Sequence, residues 1–456
     1  MPGPKLSTRR CRSIRGLALA AAFAAAAPGL RAEDLIQVYR DAQRYDAAYA
    51  AAQHALVAGR ERLPQGRALL LPTLNLSANA TRAEVEVDSR DTTLSPSFER
   101  SPESAGYTLT FTQPVFRRQN WLQYRQAEYQ VRQAEAGFGQ AAQDLIVRVA
   151  QAYFEVLTAH DTLELVRAQK AAISEQLEQA RRNFEVGTAT ITDTHEAQAR
   201  YDLIVAQEIA SQNDLENRRS ALQLITGKEY QELKPLRADV RLSPPTPERM
   251  ESWVELAEKQ SYPVLIQDAI AEIATLDARR ASAGHLPTLD VVATHGKNRE
   301  SESASTLLPT GRDTTTSTLG LQLAMPLFQG GAINSREREA AALQLRARED
   351  LENARRTSAL ATRQSYLAVI NGIAQVGALE QALVSSQSAL DSNRLGYEVG
   401  VRINIDVLNA QQQLFSTRRD LAVARSNTIT NHLRLRAAAG SLRDEDLEEV
   451  NRALAP

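Results

Sequence analysis

Groups able to do chemistry are scarce in this chain. Its six histidines, His54, His160, His195, His285, His295 and His432, share no metal-ligand spacing and read as surface or interface residues. The single cysteine, Cys11, lies in the basic and apolar opening segment, which leaves no thiol nucleophile and no cysteine metal site downstream. No phosphate loop, nucleophile motif or paired-carboxylate site stands out, so the sequence argues for no enzyme, no cofactor and no metal. What remains is a set of polar residues beside two Val-Gly pairs, Val186-Gly187 and Val399-Gly400. Thr192 and Asp193 follow the first pair; Tyr397 and Arg402 flank the second, with Asp406 and Asn409 beyond. Taken alone, the first four are a solvated face, and Asp406 is a carboxylate at a helix N-terminus, where the helix dipole favours it in any case.

Those residues are placed by a duplication. FEVGTATITD (184–193) matches YEVGVRINID (397–406) at an offset of 213, with four identities in ten positions. LPTL at 71–74 recurs at 286–289, Tyr153-Phe154 aligns with Tyr366-Leu367, Pro114-Val115-Phe116 with Pro326-Leu327-Phe328, and Gly227 with Gly440. Five matches in one order at nearly constant spacing mark a repeated unit far longer than a solenoid repeat. The expected organisation is a signal peptide over 1–32, a first repeat over 33–232, a linker over 233–247 and a second repeat over 248–456. The linker carries Pro235, Pro244, Pro245 and Pro247 and is excluded from helix interior.

Each unit opens with a helical segment, about 34–68 and about 248–283, and then turns to strand. Tyr107, Leu109 and Phe111 alternate with Thr108, Thr110 and Thr112, and Leu319, Leu321, Leu323 and Met325 alternate with Gly320, Gln322 and Ala324; that period of two is the strand signature. Leu74, Leu76, Ala78 and Ala80 mark one preceding strand, and Leu289, Val291 and Ala293 the other. Polar stretches Asp91–Ser104 and Ser301–Thr318 read as loops. The chain therefore supplies four strands. Between Pro114 and Pro235 there is no proline, and eleven of twelve positions stepping by four and three from Leu145 to Phe184 are apolar, Lys170 being the exception. That is a coiled-coil seam on a helix about 100 Å long. The same register from Ser358 to Tyr397 is apolar at about half its sites, which predicts a helix with more than one neighbour. Each long helix breaks at its Val-Gly pair and returns.

Lys5, Arg9, Arg10, Arg12 and Arg15 precede an apolar stretch from Gly16 to Leu30, the pattern of a signal peptide cut after Ala32. Removing residues 1–32 takes six positive charges from a net charge of −2 and leaves −8, which disfavours nucleic acid as a partner. No later stretch reads as a membrane-spanning helix. Four strands with an apolar face are too few for a membrane barrel, the smallest of which have about eight, and unclosed edges are not tolerated in lipid. The strands must be pooled between copies: two copies give eight, three give twelve. The same association rolls the helical hairpins into a tube, and a tube joined to a barrel is a conduit. The competing reading is a periplasmic coiled-coil scaffold or adaptor without a pore.

At this point the chain resembles the TolC family of outer-membrane efflux proteins. The resemblance runs from Glu33 to about Ala453 and rests on AYFEVL (152–157), RNFEVG (182–187), ITD (191–193), LQLITG (222–227), GHLPTLD (284–290), PLFQGG (326–331) and GYEVGVRINIDVLNA (396–410). It implies an α+β membrane protein: a homotrimer with a 12-stranded barrel in outer-membrane lipid, continued by an α-helical coiled-coil barrel in the periplasm. It further implies an equatorial layer from the inter-repeat and C-terminal segments, a periplasmic adaptor (membrane fusion) protein, and an inner-membrane RND or ABC transporter. By resemblance, Thr192, Asp193, Tyr397 and Arg402 hold the periplasmic entrance shut. The tips Val186-Gly187 and Val399-Gly400 meet the adaptor, and Asp406 forms an acidic ring at the pore constriction. The family carries a second aspartate where this chain has Asn409. The family's polar C-terminal tail is missing here.

Overall fold

The computed structural model describes residues 32–88, 90, 97–237, 240, 242–302 and 310–455; the leader expected over 1–32, Ala32 apart, lies outside them. The opening segment is three helices rather than one: α1 (Leu35–Tyr45), α2 (Ala47–Arg60) and α3 (Arg62–Ala68). Asp46 makes the first break. Its backbone is extended, and its carboxylate caps α2 by accepting from the Tyr49 amide at 2.7 Å. Then come β1 (Thr73–Arg82), β2 (Val85–Val87), β3 (Phe98–Arg100) and β4 (Glu103–Phe116). The hairpin α4 (Arg118–Glu185) and α5 (Ile191–Thr226) completes the first unit. The second unit repeats the order with α6 (Met250–Gln260), α7 (Tyr262–Ser282), β5 (Thr288–Glu300), β6 (Arg312–Ala324), α8 (Ala332–Glu398) and α9 (Asn404–Ala438), and α10 (Asp444–Arg452) follows. Its opening segment also breaks, at Ser261, where Pro263 sits in the first turn of α7.

The four long strands form one antiparallel sheet in the order β1-β4-β5-β6. Register puts the apolar residues on one face. Leu74, Phe111, Ala293 and Leu319 lie in one row across the sheet, and Leu76, Leu109, His295 and Ser317 in a second. The other face is small and polar, with Asn75, Thr110, Thr294 and Thr318 in one row and Ser77, Thr108, Gly296 and Thr316 in another. Toward the far end the apolar face turns charged, where Arg299 and Lys297 pair with Asp313. β1 and β6 are sheet edges within the chain. Three strand expectations need correction. Phe98–Arg100, placed in the Asp91–Ser104 loop, pairs with Val85–Val87 as a separate two-stranded ribbon, and β4 already begins at Glu103. The expected loop Ser301–Thr318 gives way to β6 from Arg312, because threonine fits a strand as readily as a loop: Thr314, Thr316 and Thr318 lie on the polar face, and Thr315 and Ser317 on the other; residues 91–96 and 303–309 lie outside the described set. Met325 falls one residue past β6.

The seam of α4 is buried at Leu145, Val149, Ala152, Val156, Ala159, Leu163, Val166, Ile173, Leu177 and Ala180. Lys170 keeps its place by donating to Glu208 of α5 at 2.7 Å. Phe184 departs from the expectation: it is exposed, because the helix there runs into its free tip. α8 packs on α6, α7 and α9, which accounts for its mixed register. One window in α8 is long and apolar enough by composition to cross a membrane, yet little of it is buried within the chain. This corrects the expectation that no such stretch exists; the window belongs to a helix already packed against three others.

Midway along α4 the N-terminal, inter-repeat and C-terminal segments gather. Glu33 bridges Leu233 and Leu236 bridges Leu454, and the Tyr153 hydroxyl lies 2.8 Å from the Lys234 carbonyl and 3.2 Å from that of Glu33. Leu35, Val38, Tyr153, Phe154, Leu222 and Leu447 form the core of this girdle. Arg148 holds α2 to α4 through both oxygens of Asp46, and this bond draws the Asp46 carboxyl below its usual range.

The sheet is fixed to the helices by Arg117, the residue before α4, whose guanidinium donates to both oxygens of Asp290 on β5 at 2.7 and 2.5 Å. The side chains are 40% and 7% exposed, respectively, so losing the arginine strands a buried carboxylate. Arg117→Ala is expected to destabilise the protein by about 2 kcal/mol, below the cost for a fully buried pair because the arginine is partly solvated. Thermal unfolding followed by circular dichroism checks this, with Arg117→Lys falling between variant and parent.

Candidate functional site

The residues singled out by the sequence gather at the end of the two hairpins farthest from the sheet. Both tips are built alike. In the first, the amides of Thr188 and Ala189 donate to the Asn183 carbonyl; in the second, those of Val401 and Arg402 donate to the Gly396 carbonyl. Gly187 and Gly400 adopt φ of +80° and +77°, a conformation that residues with a Cβ rarely take, and so they end the helices and reverse the chain. Val186 and Val399 beside them are 72% and 65% exposed. The tips thus present apolar side chains to solvent on a rigid turn.

Asp193 and Asp406 occupy equivalent positions in the repeat, each the third residue of its returning helix, but the residue before each helix differs. Thr190 precedes α5 and closes a capping box: the Thr190 amide and hydroxyl lie 2.9 and 2.8 Å from the Asp193 carboxylate, and the Asp193 amide donates back to the hydroxyl. Ile403 precedes α9 and makes no side-chain cap. The Asp406 carboxylate is left to Arg402, which donates to it from 3.5 Å. Asp193 is therefore bound within its own cap, while Asp406 is held only by the long bond from Arg402.

Within the chain, Thr192, Asp193, Tyr397 and Arg402, the four residues expected at the entrance, do not bond to one another. The Tyr397 hydroxyl accepts from Asn183 at 3.3 Å, joining the two hairpins. The stem of Arg402 lies over Gly396, where a Cβ would come within 2.7 Å of its Cγ. Thr192 is exposed at the start of α5. Asn409 lies on α9, three residues beyond Asp406, and its side-chain oxygen accepts from Arg200 of α5 at 2.9 Å. The same guanidinium donates to Gln412 at 2.8 Å. Arg200, Asn183, Thr190 and Gln412 were missed in the sequence. Thr190 carries a signal, since Thr-x-x-Asp opening a helix is a capping pattern. Asn183 stands inside the RNFEVG motif, but nothing there marks its partner. Arg200 is one of many arginines on a polar helix face.

Among the described residues, no group of three or more His, Cys, Asp or Glu side chains is placed to hold a metal. A cavity of about 920 Å³ lies at the opposite end, between the sheet and the helices. It is lined by Asn120, Thr288 and Glu339, with Arg280 bonded to Asp277.

A model of the family described as outer membrane efflux protein matches residues 38–228 and 264–441. The outer membrane protein TolC of Vibrio cholerae is 35% identical over 448 residues, covering 97% of this chain and 99% of that protein. The proteases secretion protein PrtF of Dickeya chrysanthemi is 32% identical, covering 92% and 91%. The crystal structure of the outer membrane protein VceC from Vibrio cholerae superposes with a TM-score of 0.75 at 20% identity over 90% of this chain and 96% of that one. Two packed hairpins, a four-stranded sheet with an apolar face, and a family match over both repeats converge: this chain belongs to the outer membrane efflux protein family and is an outer-membrane exit channel, neither an enzyme nor a pore-free scaffold.

Proposed function

We propose that three copies of the chain form one duct, closed at its periplasmic end by the hairpin tips, and that it exports cargo delivered by an inner-membrane RND or ABC transporter through a periplasmic adaptor. The sheet carries the trimer. Four strands with free edges at β1 and β6 form a 12-stranded barrel when β1 of each copy pairs with β6 of the next, which satisfies the edge backbone groups that lipid cannot. The helices support the same assembly: Leu203 and Ile209 on α5 and Leu360, Leu367 and Val384 on α8 are exposed in one chain, an apolar surface suited to burial against neighbours. Relatives include proteins named for protease secretion, so the cargo extends to proteins as well as small molecules, and the transporter selects it. The exposed tips Val186-Gly187 and Val399-Gly400 are the adaptor's contact.

The entrance is held shut between copies. Within one chain Asp193 is tied to Thr190 and Arg402 to Asp406, so a latch from Arg402 and Tyr397 to Thr192 and Asp193 joins one copy to the next. The helices at this end are also loosely satisfied. Thr194 Oγ1, Asn404 Nδ2 and Gln411 Oε1 are buried without a hydrogen-bond partner in the chain. Arg402→Ser with Tyr397→Phe is expected to raise single-channel conductance in planar bilayers severalfold with trimers intact; unchanged conductance refutes the latch.

Asp406, freed from capping by Ile403, supplies one carboxylate per copy at the constriction. Three carboxylates ~6 Å apart at an effective dielectric of ~20 repel by about 3 kcal/mol per pair, and a multivalent cation relieves that repulsion. Trivalent cations added from the periplasmic side are expected to block the channel, and Asp406→Ala to abolish the block. Bilayer recordings over a cation titration measure it; block surviving in Asp406→Ala returns Asp406 to a helix-terminus role.

A further inference from the structure

We infer that Arg200 is a specificity-determining residue of the entrance: it clamps the two hairpins together and supplies the positive charge that governs position 409. The inference rests on the reading of the α9 N-terminal segment as the constriction. Arg200 belongs to α5, yet both of its bonded acceptors belong to α9. One terminal nitrogen donates to Gln412 at 2.8 Å and the other to Asn409 at 2.9 Å. Positions 409 and 412 are three apart and share one helix face, so the planar fork of the guanidinium spans them in one geometry. α5 and α9 otherwise meet only sparsely. The fork therefore ties the first hairpin to the second, and it breaks when α9 moves away from α5.

Both acceptors are neutral amides, so neither cancels the charge they hold. Arg402 is bonded to Asp406, whereas both groups bonded to Arg200 are uncharged, with Glu196 standing one turn before it on α5. The guanidinium of Arg200 is thus a positive group bonded to the residue about one helical turn beyond Asp406. Around a three-fold axis it adds a ring of three cations beside the ring of three acids, and it weakens cation binding there.

This gives position 409 a meaning opposite to the one its sequence suggests. An aspartate introduced at 409 meets the guanidinium at hydrogen-bonding distance and forms a charge-assisted pair. It tightens the clamp instead of adding a second acidic ring. Asparagine and arginine act as a matched pair: removing the arginine unmasks the acid ring, and only a chain lacking Arg200 gains a second ring from Asn409→Asp.

Planar-bilayer recordings with hexaamminecobalt(III) on the periplasmic side test this in four variants of the assembled channel: Arg200→Gln, Asn409→Asp, the two combined, and Asp406→Ala. Arg200→Gln is expected to lower the half-blocking concentration roughly tenfold and to raise conductance by loosening the clamp. Asn409→Asp alone is expected to shift block less than twofold and to lower conductance, while the combined variant blocks most strongly of all. If Asn409→Asp alone blocks as strongly as the combined variant, Arg200 does not govern that position. If Asp406→Ala abolishes block while Arg200→Gln changes neither block nor conductance, the entrance reading stands and the role of Arg200 is overturned. If block survives in Asp406→Ala, the constriction lies elsewhere, and the assignment of Arg200 falls with it.

Discussion

A sheet edge in lipid has nowhere to send its hydrogen bonds. β1 and β6 end the four-stranded sheet, and along each outer edge every other residue directs its amide and carbonyl away from the chain. In water such groups find solvent; in the hydrocarbon layer each one unmet costs several kcal/mol. A chain with an apolar sheet face and two open edges is therefore unfinished by itself. The rest of the molecule follows from that constraint. Closing the sheet with other copies forces the helices beneath it into a ring, and a ring of hairpins has an inside, an outside and a free end. The seam of α4 and the exposed leucines of α5 and α8 divide the packing work: the first holds one hairpin together, and the second waits for a neighbour.

Coupling between barrel and helices is local and stiff. The Arg117–Asp290 fork locks the start of α4 to β5, and the bulge between Pro114 and Phe116 bends β4 where it leaves the sheet. Midway down, the girdle around Tyr153 fastens the N-terminal, inter-repeat and C-terminal segments to α4. Apolar contacts thin out toward the tips, where polar side chains link the hairpins: Asn183 to Tyr397 and Arg200 to Asn409 and Gln412. The largest buried apolar cluster lies at the girdle, away from the tips.

Much of this was legible because it is periodic. The repeat, the proline-free helices, the alternating strands and the glycine tips each leave a regular mark, and each element stands where its mark is. Departures have physical causes. Asp46 breaks the opening helix because a capping carboxylate outweighs the helical run of alanines around it. The threonine-rich start of β6 resembled a loop because it is polar on both faces, with Thr314 and Thr316 on one and Asp313, Thr315 and Ser317 on the other. Pairings between side chains left no trace: Asp193 and Asp406 look alike in sequence, and only Thr190 against Ile403 separates their roles.

The central claim is that edge strands of neighbouring copies pair to close one barrel of three chains. Because Cys11 is the sequence's single cysteine and lies in the expected leader, introduced thiols report cleanly. One cysteine is placed at Ser77 on β1, and a second is scanned through Thr314, Thr316 and Thr318 on β6. Oxidation in the outer membrane then captures whichever pair lies across the junction. The account predicts a ladder on denaturing gels that ends at three chains, with no larger species. A ladder that stops at two chains, or no cross-link at any scanned position, contradicts it.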